Sequence, residues 1–122
     1  MYENNDIFVK HLEICHRNLI GETGIQLQCR ARVGDSITLN QKLNKTIEEA
    51  FWAWAFAENC TLSGKMDWFE AQKLAVTHLV RDGEVLVQHI NADNPFGYSI
   101  KFWNVDYLDE TYNDTLPSGN RV

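Results

Sequence analysis

The chain has 122 residues, 44% of them hydrophobic and 23% charged, with a formal net charge of −6. That is the length of one domain, or of a segment of something larger, with the composition of an ordinary globular protein. No apolar run approaches the ~20 residues that cross a bilayer, and no Lys/Arg cluster is long enough to hold a phosphate backbone tightly, which argues against a sequence-reading DNA binder.

The charge is uneven: residues 1–81 carry ten acids and nine bases, residues 82–122 seven acids and two bases. Three cysteines, Cys15, Cys29 and Cys60, are an odd number without CxxC spacing, so they read as reduced thiols used as small apolar groups. The first residues, "MYENNDIFVKHLE", show no basic stretch followed by an apolar block of the secretory kind.

In chain order, residues 6–20 place Phe8, Leu12, Cys15 and Leu19 at helical spacing, with Asn5 as cap and Gly21 as stop. "IQLQCRAR" (25–32) alternates Ile25, Leu27 and Cys29 with polar residues and predicts a strand with one buried face. "GDS" at 34–36 is a break. A long helix is then expected over about 37–59, its stripe formed by Leu39, Leu43, Ile47, Ala50 or Phe51, and Trp54. Trp52 lies about 200° around that helix from Trp54. "AFWAWAFA" is therefore apolar nearly all round, which requires cover on two sides, from two layers or from another chain.

Asp67, with Glu70 three residues on, predicts a capping box opening a third helix that buries Trp68, Ala71, Leu74, Ala75 and His78 and ends near Val80. "EVLVQHI" and "YSIKFWNV" flank the turn formers "NADNPFG" and predict a β-hairpin. Residues 106–122 are polar and acidic and predict an irregular tail; ending on the turn-like "LPSGN", it has the look of a truncation. The fold class expected is α+β: a helix, a strand, two helices and a hairpin in a single domain, 1–122.

Two constellations could carry chemistry. Asp82 and Glu84, at i and i+2, would point the same way in a strand and could form an acid/base pair. No nucleophile or glycine loop accompanies them, and Asp82, Gly83 and Glu84 read better as the helix-to-strand turn, with Gly83 free to take positive φ. His11 and Cys15, at i and i+4, could share a metal or form a thiolate pair, the basis of a small thiol or metal enzyme. Cys15 also falls on the apolar stripe, where a structural role suffices, and His16, His78 and His89 are scattered over three elements. GxxxxGK[ST], GxGxxG and GxSxG are all missing from the sequence. The aromatics at 51–56 have Glu48, Glu49 and Glu58 as neighbours, which suits a core better than a base-stacking platform.

A series of motifs adds to this reading. "NLIGETGIQLQCR" follows the first helix. "FWAWA" sets Phe51 and Trp54 three apart before an alanine. "CTLSGKMDWFEAQKLAVTHLVRDGEVLVQHI" and then "NVDYLDE" come after it. In order and spacing the series resembles the portal proteins of lambda-type tailed bacteriophages, over nearly all 122 residues. The resemblance implies one segment of a longer, prophage-type portal, in its outward-facing wing. It implies a structural role in a ring through which DNA is packaged and ejected, located at the virion's portal vertex or in the host cytoplasm. Partners implied are other portal subunits, terminase, head–tail adaptors and double-stranded DNA, with no cofactor, metal or membrane. Trp52, Phe56 and Trp68 are then the candidate interface, and the segment alone is expected to be a monomer or small oligomer. The alternative is a stand-alone prophage-derived interaction domain.

Overall fold

The computed structural model describes residues 5–108 and 111. The chain is α+β: helix α1 (Asp6–Cys15) runs into a π-turn (His16–Ile20), then come α2 (Gln41–Trp54), the single turn α3 (Ala57–Cys60), α4 (Trp68–Asp82), and an antiparallel hairpin of β1 (Leu86–Ile90) and β2 (Ser99–Trp103). A 3₁₀ turn at Val105–Tyr107 opens the stretch expected to be irregular. Nearly all the rest of that tail lies outside the described residues.

α1 starts where expected, with Asn5 Oδ1 accepting from the N–H groups of Ile7 (3.1 Å) and Phe8 (3.3 Å). Its buried stripe shifts at the end. The π-turn adds one residue to the last turn, so Ile20 faces inward at 6% exposure and the predicted Leu19 is left at 57%. The same turn sets His16 against α4, its Nε2 3.0 Å from Thr77 Oγ1 and 3.2 Å from the Lys73 carbonyl.

Among the described residues the expected strand over 25–32 pairs with no other strand, and only Arg32 of it makes an isolated bridge, to Leu39. Its main chain is held by helix side chains instead. Gln72 of α4 accepts from Ile25 N–H (2.7 Å) and donates to Ile25 C=O (3.5 Å). Asn44 of α2 does the same for Ala31, at 2.8 and 3.3 Å. Glu48, one turn after Asn44, accepts from Cys29 N–H at 2.8 Å. The bonded residues are 25, 29 and 31, all odd, the period of an extended chain. Each amide copies the donor–acceptor pair of a neighbouring strand's peptide.

That arrangement also corrects the long helix. Val33 N–H bonds Thr38 C=O and Asn40 N–H bonds Ala31 C=O, so 38–40 belong to a turn and α2 begins at Gln41. The face turned inward is that of Asn44 (5% exposed), one position around from the predicted Leu43 and Ile47, which are 44% and 38% exposed. At its other end α2 stops because neighbours take its last carbonyls: Asn59 Nδ2 donates to Ala53 C=O (3.1 Å) and Trp68 N–H to Ala55 C=O (2.9 Å). Phe56 then turns extended, with ψ 147°, and leaves the helix line.

α4 opens on the expected capping box, with Glu70 N–H to Asp67 Oδ1 (2.8 Å) and Asp67 N–H to Glu70 Oε2 (3.2 Å), and runs two residues past Val80 to Asp82. The core lies between α2, α4 and β2. Its buried apolar residues among those described are Ile20, Ala55, Cys60, Ala71 and Ile100. Leu62 N–H bonds Ile100 C=O at 3.0 Å, which seats the α3–α4 loop on the edge of β2.

Candidate interface and the predicted sites

A chain of ring contacts leads from the core to the surface. Tyr98 lies 5.7 Å from Trp54, Trp54 lies 5.5 Å from Trp68, and Phe51 lies 6.0 Å from Trp68 and 5.4 Å from Trp52, the last two edge-on. Trp54 anchors the inner end by donating Nε1–H to Tyr98 C=O at 3.0 Å. At the outer end, Trp52 (37% exposed), Phe56 (64% exposed) and the half-buried Trp68 line one hollow of about 270 Å³ with Ala55, Asp67 and Phe69. One side of the doubly apolar segment is thus covered by the protein's own core and the other is open. The helix ends after Trp54, and Phe56, in extended conformation, lines the same hollow as Trp52.

At the end of α4, Gly83 takes φ 84° and its N–H bonds Leu79 C=O at 3.1 Å, a left-handed cap that a side chain would resist. Asp82 is the last residue of α4, and β1 begins only at Leu86, so Asp82 and Glu84 do not share a strand face. The Asp82 carboxylate takes Arg81 Nε and Nη2, both at 2.7 Å, and His78 Nδ1 at 3.0 Å. The hydrogen bonds from Arg81 first, and from His78 second, hold its carboxyl down to about 2 against an ordinary 3.8. A carboxylate that reluctant to take a proton is a poor general base and a good structural anion.

His11 Nε2 stands 3.7 Å from Cys15 Sγ on the exposed side of α1. Among the described residues no three His, Cys, Asp or Glu side chains converge as metal ligands. The other histidines go to separate partners: His16 to α4, His78 to Asp82, and His89 Nδ1 to the Tyr98 hydroxyl at 2.6 Å. Cys60 is fully buried, with Sγ donating to Met66 C=O at 3.3 Å. Burial first, and the charge of Asp67 second, push its thiol up to about 11 from 9.0.

The sequence matches the lambda family of phage portal proteins over residues 1–122. The chain belongs to that family. It is also 30% identical over 120 residues to a protein of Halomonas phage phiHAP-1 named "Probable portal protein". That alignment covers 98% of this chain and 23% of the phage protein, so the chain spans about a quarter of its relative's length. The portal family is structural, and the motifs read from the sequence now have places in the fold. Gly24 of "TGI" takes φ 77°, and a Cβ there would stand 3.0 Å from Phe69 Cδ2. Gln72 of the aromatic helix is the amide that clamps Ile25. "DGEV" is the cap of α4 and the approach to β1. Among the described residues no helix is long and apolar enough to cross a membrane.

The residues that sequence reasoning missed are Asn44, Glu48 and Gln72. The signal was present: Gln72 sits between Ala71 and Ala75 on the buried stripe of α4, and Asn44 and Glu48 are one turn apart. Polar side chains on an inward face imply main-chain groups waiting for them.

Proposed function

We propose that this chain is a wing-like part of a portal ring subunit, a structural element of the head–tail connector through which double-stranded DNA is packaged and ejected. Family membership over residues 1–122 is the observation that carries this reading. In it, the Trp52–Phe56–Trp68 hollow is a contact surface, filled by a neighbouring subunit or by another part of the longer polypeptide. Asp82, Gly83 and Glu84 serve as a structural turn. Terminase and the head–tail adaptor are the further partners, and the portal vertex of the virion, reached from the host cytoplasm, is the place. No catalytic step is assigned to the chain.

Gold labelling of particles with an antibody to this chain tests the reading. Labels are expected at a single capsid vertex, and particles carrying Phe56→Asp are expected to lose the label. Label scattered over the shell, or absent from particles altogether, overturns it.

A further inference from the structure

Nothing in the portal-subunit reading draws on His11 and Cys15. They stand four residues apart in α1, and so on one face of it. Their side chains turn toward each other, with Nε2 3.7 Å from Sγ, and water reaches the pair, since His11 is exposed and Cys15 only half-buried. The other side chains of these two types are differently engaged. His16 Nε2 lies against Thr77 and the Lys73 carbonyl, His78 Nδ1 against Asp82, and His89 Nδ1 against the Tyr98 hydroxyl. Cys60 is buried, its Sγ donating to Met66 C=O.

We propose that His11 Nε2 and Cys15 Sγ chelate one divalent cation of the borderline-soft class, Zn²⁺, Co²⁺ or Ni²⁺. The separation of the two atoms carries the argument. A tetrahedral ion with bonds of about 2.3 Å to sulfur and about 2.1 Å to nitrogen holds those two ligand atoms about 3.6 Å apart. The observed 3.7 Å therefore admits the ion with almost no movement of either side chain. The ligand types select the metal: a thiolate with an imidazole favours these ions over Mg²⁺ and Ca²⁺, which seek oxygen.

The backbone under the pair is fixed on both sides. Asn5 caps the start of α1, and His16, directly after Cys15, is tied to α4. Little ordering is left for the metal to impose, which is what preorganises a site. Binding displaces the thiol proton, and the metal takes its place between sulfur and nitrogen. Two protein ligands leave two tetrahedral positions to water. A closed structural site fills all four, so this one is open and exchangeable, a staple across the last turn of α1.

The site stands apart from the portal-subunit reading, and either can fail alone. Titration of the tag-free, reduced chain with Co²⁺ tests it, read by thiolate-to-cobalt charge-transfer absorption. One Co²⁺ per chain is expected to raise the band, Zn²⁺ to abolish it, and excess Mg²⁺ to leave it in place. His11→Gln and Cys15→Ser should each weaken binding by more than about tenfold, the least that loss of even an outer-shell partner costs such sites. Cys29→Ser should leave binding unchanged. NMR of the unaltered chain gives a second measurement: Zn²⁺ should shift the His11 ring and Cys15 Cβ signals together and leave those of His16, His78, His89 and Cys29 alone. A chain that gives no thiolate band overturns the site. So does a band that survives Cys15→Ser, which puts the metal on another thiol, or one that His11→Gln leaves at full strength, which makes the ligand a thiolate alone. Zinc-induced shifts confined to the other histidines overturn it as well.

Discussion

Residues 25–32 and the β1–β2 hairpin carry the same signature, apolar and polar side chains in alternation, and meet different fates. In the hairpin each strand finds its ladder in the other, with Leu86 opposite Trp103 and Ile90 opposite Ser99. The earlier segment finds no strand among the described residues and borrows an amide from each of two helices. Alternation states that the chain is extended with one face preferred. It does not state who receives the N–H groups, and here that recipient is decided by Asn44 and Gln72, far along the chain from the pattern itself. A ladder is made of main chain and tolerates substitution. A clamp is made of two side chains and depends on them.

The largest effect should come from the hairpin's packing, not its ladder. Ile100 is 5% exposed, in the middle of β2, where its carbonyl holds Leu62 and its side chain meets Trp54 and Ala71 around one apolar space. Ile100→Ala is expected to cost about 2–5 kcal/mol by denaturant unfolding. A cost near zero would mean that the hairpin is not part of the cooperative unit, and the contrast with the clamped segment would fail.

The clamp comes next. Gln72→Leu keeps the volume and removes both partners of Ile25, an expected loss of about 1–3 kcal/mol. Its specific mark is fast amide exchange at Ile25 with the hairpin amides of Leu86 and Gln88 unchanged. If the hairpin amides speed up equally, the two regions are one unit and the division drawn between them is wrong. Gly24→Ala attacks the same clamp from the other side. It forces a side chain into φ 77° and against Phe69 and the Gln72 amide, at an expected cost of about 1–2 kcal/mol. Because Gly24 and Gln72 touch, the double variant should cost less than the sum of the two.

These substitutions also mark what could be read beforehand. The caps at Asn5, Asp67 and Gly83 and the hairpin were legible because each is encoded within a few residues: a side chain beside the amides it accepts from, or two strands around "NADNPFG". The register of α1's last turn and the end of α2 were not, because each is set by a distant partner. His16 reaches α4 and fixes the π-turn, and Trp68 takes the carbonyl of Ala55. The same holds for the aromatic hollow. The sequence shows that "AFWAWAFA" needs cover on two sides, but that Trp68 of α4 joins Trp52 and Phe56 around one hollow is set by how α4 packs, not by the local pattern. The carboxylates at 82 and 84 were readable as a turn from Gly83 between them, whereas the grip of Arg81 and His78 on Asp82 depends on how α4 finishes.

That grip gives the smallest effect, one that fades in acid. Asp82 has a folded-state pKa of about 2 against an ordinary 3.8, so the folded carboxylate holds its charge where the unfolded one is protonated. The stabilisation it brings is fully present above about pH 4 and is lost as pH falls toward 2. Asp82→Asn should therefore leave the stability of the clamped segment untouched, lower global stability slightly at neutral pH, and flatten the acid limb of the unfolding curve, the difference from wild type closing as pH falls from about 4 toward 2. The side chain is partly open to water, at 22% exposure, so added salt should shrink the difference between wild type and variant. An acid limb identical in the two proteins would mean that Arg81 and His78 do not hold Asp82 in solution, leaving Gly83 alone to fix how α4 hands over to the hairpin.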